Sequence, residues 1–292
     1  MRSTNPQSKT LPPAPPLDAR QFMLAIKRLA DSLSYGTDRS LFLGSGLEFA
    51  QSRPYQPGDP IKLIDWRVTA RTGRLFIKEY ETPKRMPVYL LVDTSASMVI
   101  SSHRHSKYHV AVQIAGALAL ACLDRISPVG VLGVGSETLH VPPSLSKDTV
   151  LRWLHQLRHY REDERTLLGN RLTQLGPSLP NRVLMIVLSD MHDPSSLPVL
   201  KRLGQQHDCC VIQLRDPAER GLMGTGFFRA REAETGRSFI GHGRLPLDTG
   251  TDVQSSLRRA GIDHLALETD QPISIPLRQF FAARCLLGRG AR

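Results

Sequence analysis

Short apolar segments alternate with amphipathic segments along most of the chain. Three apolar segments, YLLV, VLMIVL and CCVIQL, end at residues 92, 188 and 214. Between them, apolar residues recur at helical spacing, notably over residues 107–123, 147–158, 167–175 and 196–206. Strands that are apolar almost throughout are buried on both faces. The pattern therefore predicts a doubly wound α/β fold with a mostly parallel sheet.

Three segments of different character are predicted. Residues 1–17 are rich in proline and polar residues, which favours a disordered tail. Residues 18–85 combine an amphipathic helix with a small irregular unit that contains β-structure, including a strand over residues 75–81. Residues 86–292 form the main α/β domain, which a hairpin insertion interrupts at about 216–246. A last helix is predicted over residues 276–287.

Basic residues are in excess, and the excess is concentrated towards the N-terminus. The net charge is +11, and residues 1–85 hold 14 Lys/Arg against 8 Asp/Glu. Aromatic residues make up only 6% of the chain, and the basic residues come in pairs, not in runs. This favours a solvated basic surface or a patch for an acidic protein partner, and no nucleic acid is expected. A basic nucleic-acid-binding protein remains the alternative.

The cellular location is inferred from the lengths of the apolar segments and from the spacing of the cysteines. Residues 1–18 contain no apolar segment of the kind found in secretory signals. The longest apolar run, residues 110–123, is shorter than the roughly 17–25 residues that a spanning helix needs. The 4 cysteines form no C-x-x-C pair. We therefore expect a cytoplasmic protein with reduced thiols and no transmembrane segment.

Oxygen-bearing side chains follow two of the apolar strands. Asp93, Ser95 and Ser97 come directly after YLLV, and Asp190 follows the second apolar strand. Ligands of open α/β sheets bind at the carboxyl ends of the strands. Alternate residues of an extended segment point the same way, and carboxylates and hydroxyls suit Mg²⁺. The sequence predicts a Mg²⁺ site here, with Ca²⁺ or Mn²⁺ as alternative ions.

Two other interpretations of the serines stay open. A catalytic serine needs a base and an oxyanion hole, and the Gly-x-Ser-x-Gly turn is absent from the chain. His192 is a candidate base by its position after Asp190. Alternatively, Asp93 and the serines only close a turn and cap the following helix.

The segment DTSASM at 93–98, together with LSD at 188–190, resembles the metal-ion-dependent adhesion site of von Willebrand factor A-type domains. Asp93, Ser95, Ser97 and Asp190 match that pattern position by position. The resemblance also implies a threonine ligand on a separate loop, which we assign to Thr166. In such sites the serines and the threonine bind the ion directly or exchange with water, and the aspartates act mostly through water.

Two further segments resemble the bacterial proteins that carry domain of unknown function 58. They are GLEFAQSRPYQPGDPIKLIDWRVTARTGRLFIKEYE and DPAERGLMGTGFFRAREAETGRSF, and the resemblance extends over residues 41–281. It implies a partnership with MoxR-type AAA+ ATPases in the maturation or assembly of other complexes. Pro60 and the segment ETPKRM depart from the usual pattern of that family.

Taken together, these resemblances imply a non-enzymatic adaptor with a von Willebrand A-like fold. We expect a protein partner, a MoxR-type ATPase or its client, to complete the coordination of Mg²⁺ with a carboxylate. A metal-dependent hydrolase of phosphate or acyl esters is the alternative within the same site. In the N-terminal unit, we expect carboxylate–guanidinium pairs among Arg53, Asp59, Asp65 and Arg71, and a packing role for Trp66. A contact of these residues with a partner is the alternative.

Overall fold

The computed structural model describes most of the chain. The described residues are 19–34, 48–81, 86–103, 105–135, 139–159, 168–179, 181–220, 227–231, 238–242 and 250–286. The tail predicted over residues 1–17 lies outside them, as does Thr166.

Ten strands and nine helices are named among the described residues. The strands are β1 Glu48–Pro54, β2 Phe76–Glu81, β3 Val88–Val92, β4 Val129–Gly133, β5 His140–Ser144, β6 Leu184–Ser189, β7 Asp208–Arg215, β8 Phe227–Arg231, β9 Ser238–His242 and β10 Asp263–Glu268. The helices are α1 Ala19–Ser34, α2 Trp66–Thr72, α3 Ala96–Val99, α4 Lys107–Asp124, α5 Lys147–Arg158, α6 Leu168–Leu175, α7 Ser196–Gln206, α8 Gly250–Arg259 and α9 Ser274–Leu286.

Six strands form the central sheet in the order β10-β7-β6-β3-β4-β5. All neighbouring pairs are parallel except β4 and β5, which are antiparallel. The predicted mixed α/β architecture with a mostly parallel sheet is confirmed. The chain runs outward from β3 through β4 to β5 and then returns to β6 on the other side of β3. The strand order therefore reverses between β3 and β6, where open sheets place their ligands.

Each strand of the sheet centre contributes to two apolar layers. Leu90 and Val92 of β3 belong to a core with α1, α4, α5 and α9, whereas Tyr89 and Leu91 belong to a core with α6, α7 and α8. Successive side chains of a strand point to opposite faces. The strand must therefore be apolar at every position, which explains the uninterrupted run in the sequence. Helix α1 shares its core with α4, so the N-terminal helix packs on the main domain.

The small N-terminal unit is built from β1, β2 and α2. Strands β1 and β2 pair in antiparallel fashion. One carboxylate–guanidinium pair of the predicted kind is present, because both terminal nitrogens of Arg53 lie 2.8 Å from the two carboxylate oxygens of Asp59. Asp65 caps α2 by accepting the backbone N–H groups of Arg67 and Val68. The packing role predicted for Trp66 is wrong, because 67% of this residue is exposed.

Two further expectations concern helices and thiols. No helix within the described ranges is long and apolar enough to cross a membrane. Cys122, Cys209 and Cys210 are free and buried. Strands β8 and β9 pair in antiparallel fashion inside the range predicted for the hairpin insertion.

His264 in β10 couples the stability of the sheet to pH. Burial, with a smaller effect of the Arg215 charge, lowers the pKa of His264 to about 4. Its Nε2 lies 3.0 Å from Oε1 of Gln213. A carbonyl oxygen only accepts, so Nε2 carries the proton and the neutral ring satisfies this contact.

We expect the free energy of unfolding to fall as the pH drops from about 6.5 towards about 4. In that window His264 is protonated in the unfolded chain but stays neutral in the folded chain. Lowering the pH therefore favours unfolding. The loss attributable to this residue is about 1–2 kcal/mol, because the ring is partly solvated. Urea titrations at about pH 7.5 and about pH 4.5 measure it. His264→Gln keeps an N–H donor without titrating and should lose correspondingly less. Equal losses in both proteins would contradict this assignment.

Candidate metal centre

Asp93 and Asp190 lie at the carboxyl ends of neighbouring strands. Val92 and Leu188 are paired in the parallel register of β3 and β6. The backbone N–H of Asp93 donates to the carbonyl of Leu188 at 2.9 Å, so the pairing continues to the first acidic residue. Asp190 follows two residues after Leu188. The sequence expectation that both carboxylates reach one edge is therefore met at the reversal of strand order.

The Asp93 carboxylate is fully buried and held on both oxygens. Its Oδ2 accepts the hydroxyl of Ser189 at 2.6 Å, and its Oδ1 accepts the backbone N–H of Ser95 at 3.0 Å. Burial, and then the charge of Asp190, raises the pKa of Asp93 to about 6, although these hydrogen bonds oppose the rise. A divalent cation would stabilise the ionised form of Asp93, whose pKa is raised by burial and by the neighbouring charge.

The two serines place their hydroxyls side by side. Ser95 Oγ and Ser97 Oγ are 3.0 Å apart at the start of α3. Ser95 is buried and occupies the N-cap position, but its side chain makes no capping hydrogen bond. The turn interpretation is thus met only in part: Asp93 closes the turn, whereas the Ser95 hydroxyl is directed at Ser97. Neither hydroxyl bonds to a histidine within the described residues, which disfavours an activated serine.

Asp190 is neutralised by groups of this chain. Its Oδ2 lies 2.9 Å from Lys107 Nζ and 2.9 Å from His192 Nδ1. Burial alone would raise the pKa of Asp190, but the hydrogen bond from His192 and the Lys107 charge hold it well below its usual range. His192, a candidate base in the sequence, is therefore engaged with a carboxylate. Its own pKa is raised by that hydrogen bond.

Lys107 connects Asp190 to a further carboxylate that the sequence did not indicate. Its ammonium group contacts Glu219 as well as Asp190, and Lys107 is only 1% exposed. Burial alone would lower the pKa of Lys107. The negative charges of Asp190 and Glu219 outweigh this effect and raise the pKa. Ligand atoms of Asp190, His192 and Glu219 lie within 4.8 Å of one another. Any cation bound among these three atoms would compete with the Lys107 ammonium.

Sequence reasoning missed Lys107, Ser189 and Glu219. Ser189 donates to Asp93 and accepts the backbone N–H of Met191 at 2.9 Å, which helps to hold Met191 at a φ of 61°. Its position directly before Asp190 was an available signal. Lys107 appears in the sequence as an ordinary first residue of a helix, and Glu219 as one of several charges in a loop. Nothing local distinguished either residue.

The threonine ligand is the one member of the predicted set without described coordinates. Thr166 lies outside the described residues. The nearby Thr173 lies inside α6, where its hydroxyl donates to the Gly169 carbonyl at 2.8 Å. The Gly169 N–H in turn donates to Asp193 Oδ2 at 3.1 Å. The start of α6 is thereby fixed against the loop that follows Asp190.

The residues described at this edge fit a hard divalent cation. They offer carboxylate and hydroxyl oxygens, with neither a thiol nor a neutral imidazole among Asp93, Ser95 and Ser97. Asp93 and Asp190 are both buried and follow neighbouring strands. The matching position of Asp190 at the next strand end supplies the second carboxylate.

A family model described as "Protein of unknown function DUF58" matches residues 51–242 of the chain. "Uncharacterized protein Rv1480" from Mycobacterium tuberculosis is 26% identical over 279 residues, which cover 91% of this chain and 88% of that protein. "Uncharacterized protein YeaD" from Bacillus subtilis is 27% identical over 110 residues, which cover 38% of this chain and 25% of that protein.

Solved structures show only distant likeness. The PilB minor pilin from Streptococcus sanguinis superposes with a TM-score of 0.40 at 9% identity, covering 74% of this chain and 64% of the pilin. The RO (RSR) protein of Deinococcus radiodurans gives a TM-score of 0.35 at 15% identity, covering 95% of this chain and 50% of that protein. At these TM-scores neither structure bears on the function of this chain.

Proposed function

Because the chain belongs to the DUF58 family of proteins of unknown function, we propose its function from the geometry of the sheet edge: a non-enzymatic, metal-dependent adaptor that binds another protein. The observation that carries the proposal is the placement of Asp93 and Asp190 on adjacent strand ends, with Ser95 and Ser97 in the next turn. This is the arrangement expected of a von Willebrand A-like adhesion site.

The proposed ion is Mg²⁺, with Ca²⁺ or Mn²⁺ as alternatives. Ser95, Ser97 and Thr166 would hold it directly or exchange with water, and Asp93 and Asp190 would act mostly through water. When bound, the ion offers an open coordination position to a carboxylate of the partner. Ser189 positions Asp93, and Lys107 balances part of the charge of Asp190.

Two contacts disfavour a serine nucleophile at this site. The serine hydroxyls face each other, and His192 is hydrogen-bonded to Asp190 instead of to a serine. A serine hydrolase requires a base on the nucleophile. We therefore propose reversible protein binding as the role of this site.

The proposed partner is a MoxR-type AAA+ ATPase or a client of that ATPase, as the family resemblance implies. A carboxylate of the partner would reach the ion at the edge where Ser97 is half-buried. The adaptor would then join the ATPase to complexes that it matures or assembles.

Affinity capture from the native cell extract tests the proposed function. The tagged protein is expected to recover an AAA+ ATPase or its client in Mg²⁺ and to lose it in EDTA. The loss is expected because the partner's carboxylate has no ion to bind. Asp93→Asn, which removes one buried charge, should lose the partner even in Mg²⁺.

Asp124→Asn is the matched control, because Asp124 is an exposed aspartate at the end of α4. It should recover the partner as the wild type does. Recovery of the same proteins in EDTA, or by Asp93→Asn, would show that no ion mediates the contact.

A further inference from the structure

The N-terminal unit exposes large apolar side chains on adjoining segments. Ile61 is 69% exposed and Trp66 is 67% exposed, while Leu75 and Leu63 are 46% and 36% exposed. The backbone N–H of Asp65 donates to the Phe76 carbonyl, so the segments on either side are neighbours. Large apolar groups concentrated on the surface of one small unit mark an interaction site.

Basic side chains accompany these apolar residues. We call the combined surface the Trp66 patch; it consists of Ile61, Lys62, Leu63, Trp66, Arg67, Arg71, Arg74 and Leu75. Its four basic residues are exposed, and none of them makes an ion pair with a described residue. The patch therefore combines exposed apolar side chains with positive charge.

The two aspartates of the same unit are engaged in contacts within it. Asp59 binds Arg53 through two hydrogen bonds. Asp65 accepts the Ser52 hydroxyl at 2.7 Å and caps α2. Neither aspartate is available to neutralise the Trp66 patch, and the exposed basic side chains of the patch make an acidic group of a partner its electrostatic complement.

We propose that the Trp66 patch is a second docking surface, which binds an acidic protein segment. A partner with carboxylates around an apolar recess would receive Trp66 and pair with Arg67 and Arg71. Tryptophan and arginine are the residues most enriched among those that dominate binding energy at protein interfaces. The surface goes beyond the metal-dependent contact proposed above and does not rest on it.

The apolar residues of the Trp66 patch favour a protein over a nucleic acid as the ligand. Single-stranded nucleic acids are bound by several aromatic side chains on which successive bases stack. Here one exposed tryptophan is accompanied by Ile61, Leu63 and Leu75, which offer no stacking plane. Aliphatic side chains instead match the apolar core of a protein interface.

Photo-crosslinking in the cells that produce the protein tests the patch. Benzoylphenylalanine is introduced at position 66, and the crosslinked material is identified by mass spectrometry. We expect a segment of another protein that carries an excess of Asp and Glu. Substituting both Arg67 and Arg71 by serine should reduce the yield about tenfold or more, because two arginine contacts at such a surface are lost.

Two matched controls accompany the experiment. Serine at both Arg258 and Arg259 removes the same charge from an exposed pair in α8 and should leave the yield unchanged. Benzoylphenylalanine at Ile275, which is 53% exposed in α9, should not capture the same segment. The position-66 crosslink should also persist in Asp93→Asn, which separates this surface from the metal centre.

Each other outcome would overturn the proposal. Crosslinks to nucleic acid would identify a different class of ligand. Crosslinks only within this chain would show that the patch is covered by the protein itself. Absence of any crosslink would contradict binding of an acidic partner at the Trp66 patch. An equal loss of crosslinking yield with the Arg258 and Arg259 substitutions would contradict it as well.

Discussion

Replacing Lys107 by methionine is expected to lower the free energy of unfolding by about 3–5 kcal/mol. Lys107 is 1% exposed, and its ammonium group is shared between Asp190 and Glu219. Methionine has a similar length but no charge, so the buried carboxylate of Asp190 loses its lysine partner and keeps only the contact with the half-exposed His192. Breaking a buried pair by removing one partner leaves the other charge without compensation, which costs more than the pair contributes. Urea unfolding at neutral pH measures the loss.

Lys147→Met is the matched control for this substitution. Lys147 is also the first residue of a helix that follows a serine N-cap, but it is exposed. Its replacement should change the stability by less than about 0.5 kcal/mol. Adding Asp190→Asn to Lys107→Met removes the stranded charge and should restore part of the stability. A loss below about 1 kcal/mol for Lys107→Met would show that the ion pair is not a major contributor.

Mg²⁺ at about 100 times its dissociation constant is expected to stabilise the folded protein by about 2.7 kcal/mol. For a domain of this size, the melting temperature would rise by about 5–10 °C. The physical reason is that the ion binds only where the fold brings Asp93, Asp190 and the serines together. Thermal unfolding with added Mg²⁺, and after EDTA treatment, measures the shift. Ca²⁺ and Mn²⁺ in place of Mg²⁺ rank the ions.

Variants of the proposed ligands distinguish stabilisation by a bound ion from a general effect of salt on the melting temperature. Ser95→Ala removes one hydroxyl without changing a charge and should abolish most of the Mg²⁺-dependent shift. Ser178→Ala, at the end of a different helix, removes a hydroxyl bonded to the Leu175 carbonyl and should retain the whole shift. The same Mg²⁺ response in all three proteins would rule out ion binding at Ser95. That outcome would leave the Trp66 patch unaffected.

Sheet strands and most helices were predictable from periodicity, because burial constrains the sequence directly. A strand buried on both faces, such as β3 or β6, must be apolar at every position. An amphipathic helix such as α5 shows the spacing of its buried face. The predicted helix over residues 147–158 is present with those bounds. Trp66 was misjudged because a tryptophan is more often buried than exposed, and periodicity carries no information on a short irregular unit.

The candidate site was predictable only where its residues follow strands. Asp93 and Asp190 could be placed at one edge because parallel strands share a direction, and the two serines follow Asp93 within four residues. Lys107 and Glu219 are 112 positions apart, and the contact between them arises only when the loops after β3 and β7 converge. Sequence separation of that size leaves no local pattern from which to infer a contact.

The sequence by itself thus determined the α/β architecture, the two acidic strand ends and the serine pair. Burial constrains which residue types can occupy each strand and helix, and the direction of the chain places the end of each parallel strand at the same edge. Only the tertiary structure decided the neutralisation of Asp190 by Lys107, the support of Asp93 by Ser189 and the exposure of Trp66. These features depend on which loops meet and which surfaces stay uncovered. Such relations are set by packing between elements that are distant along the chain.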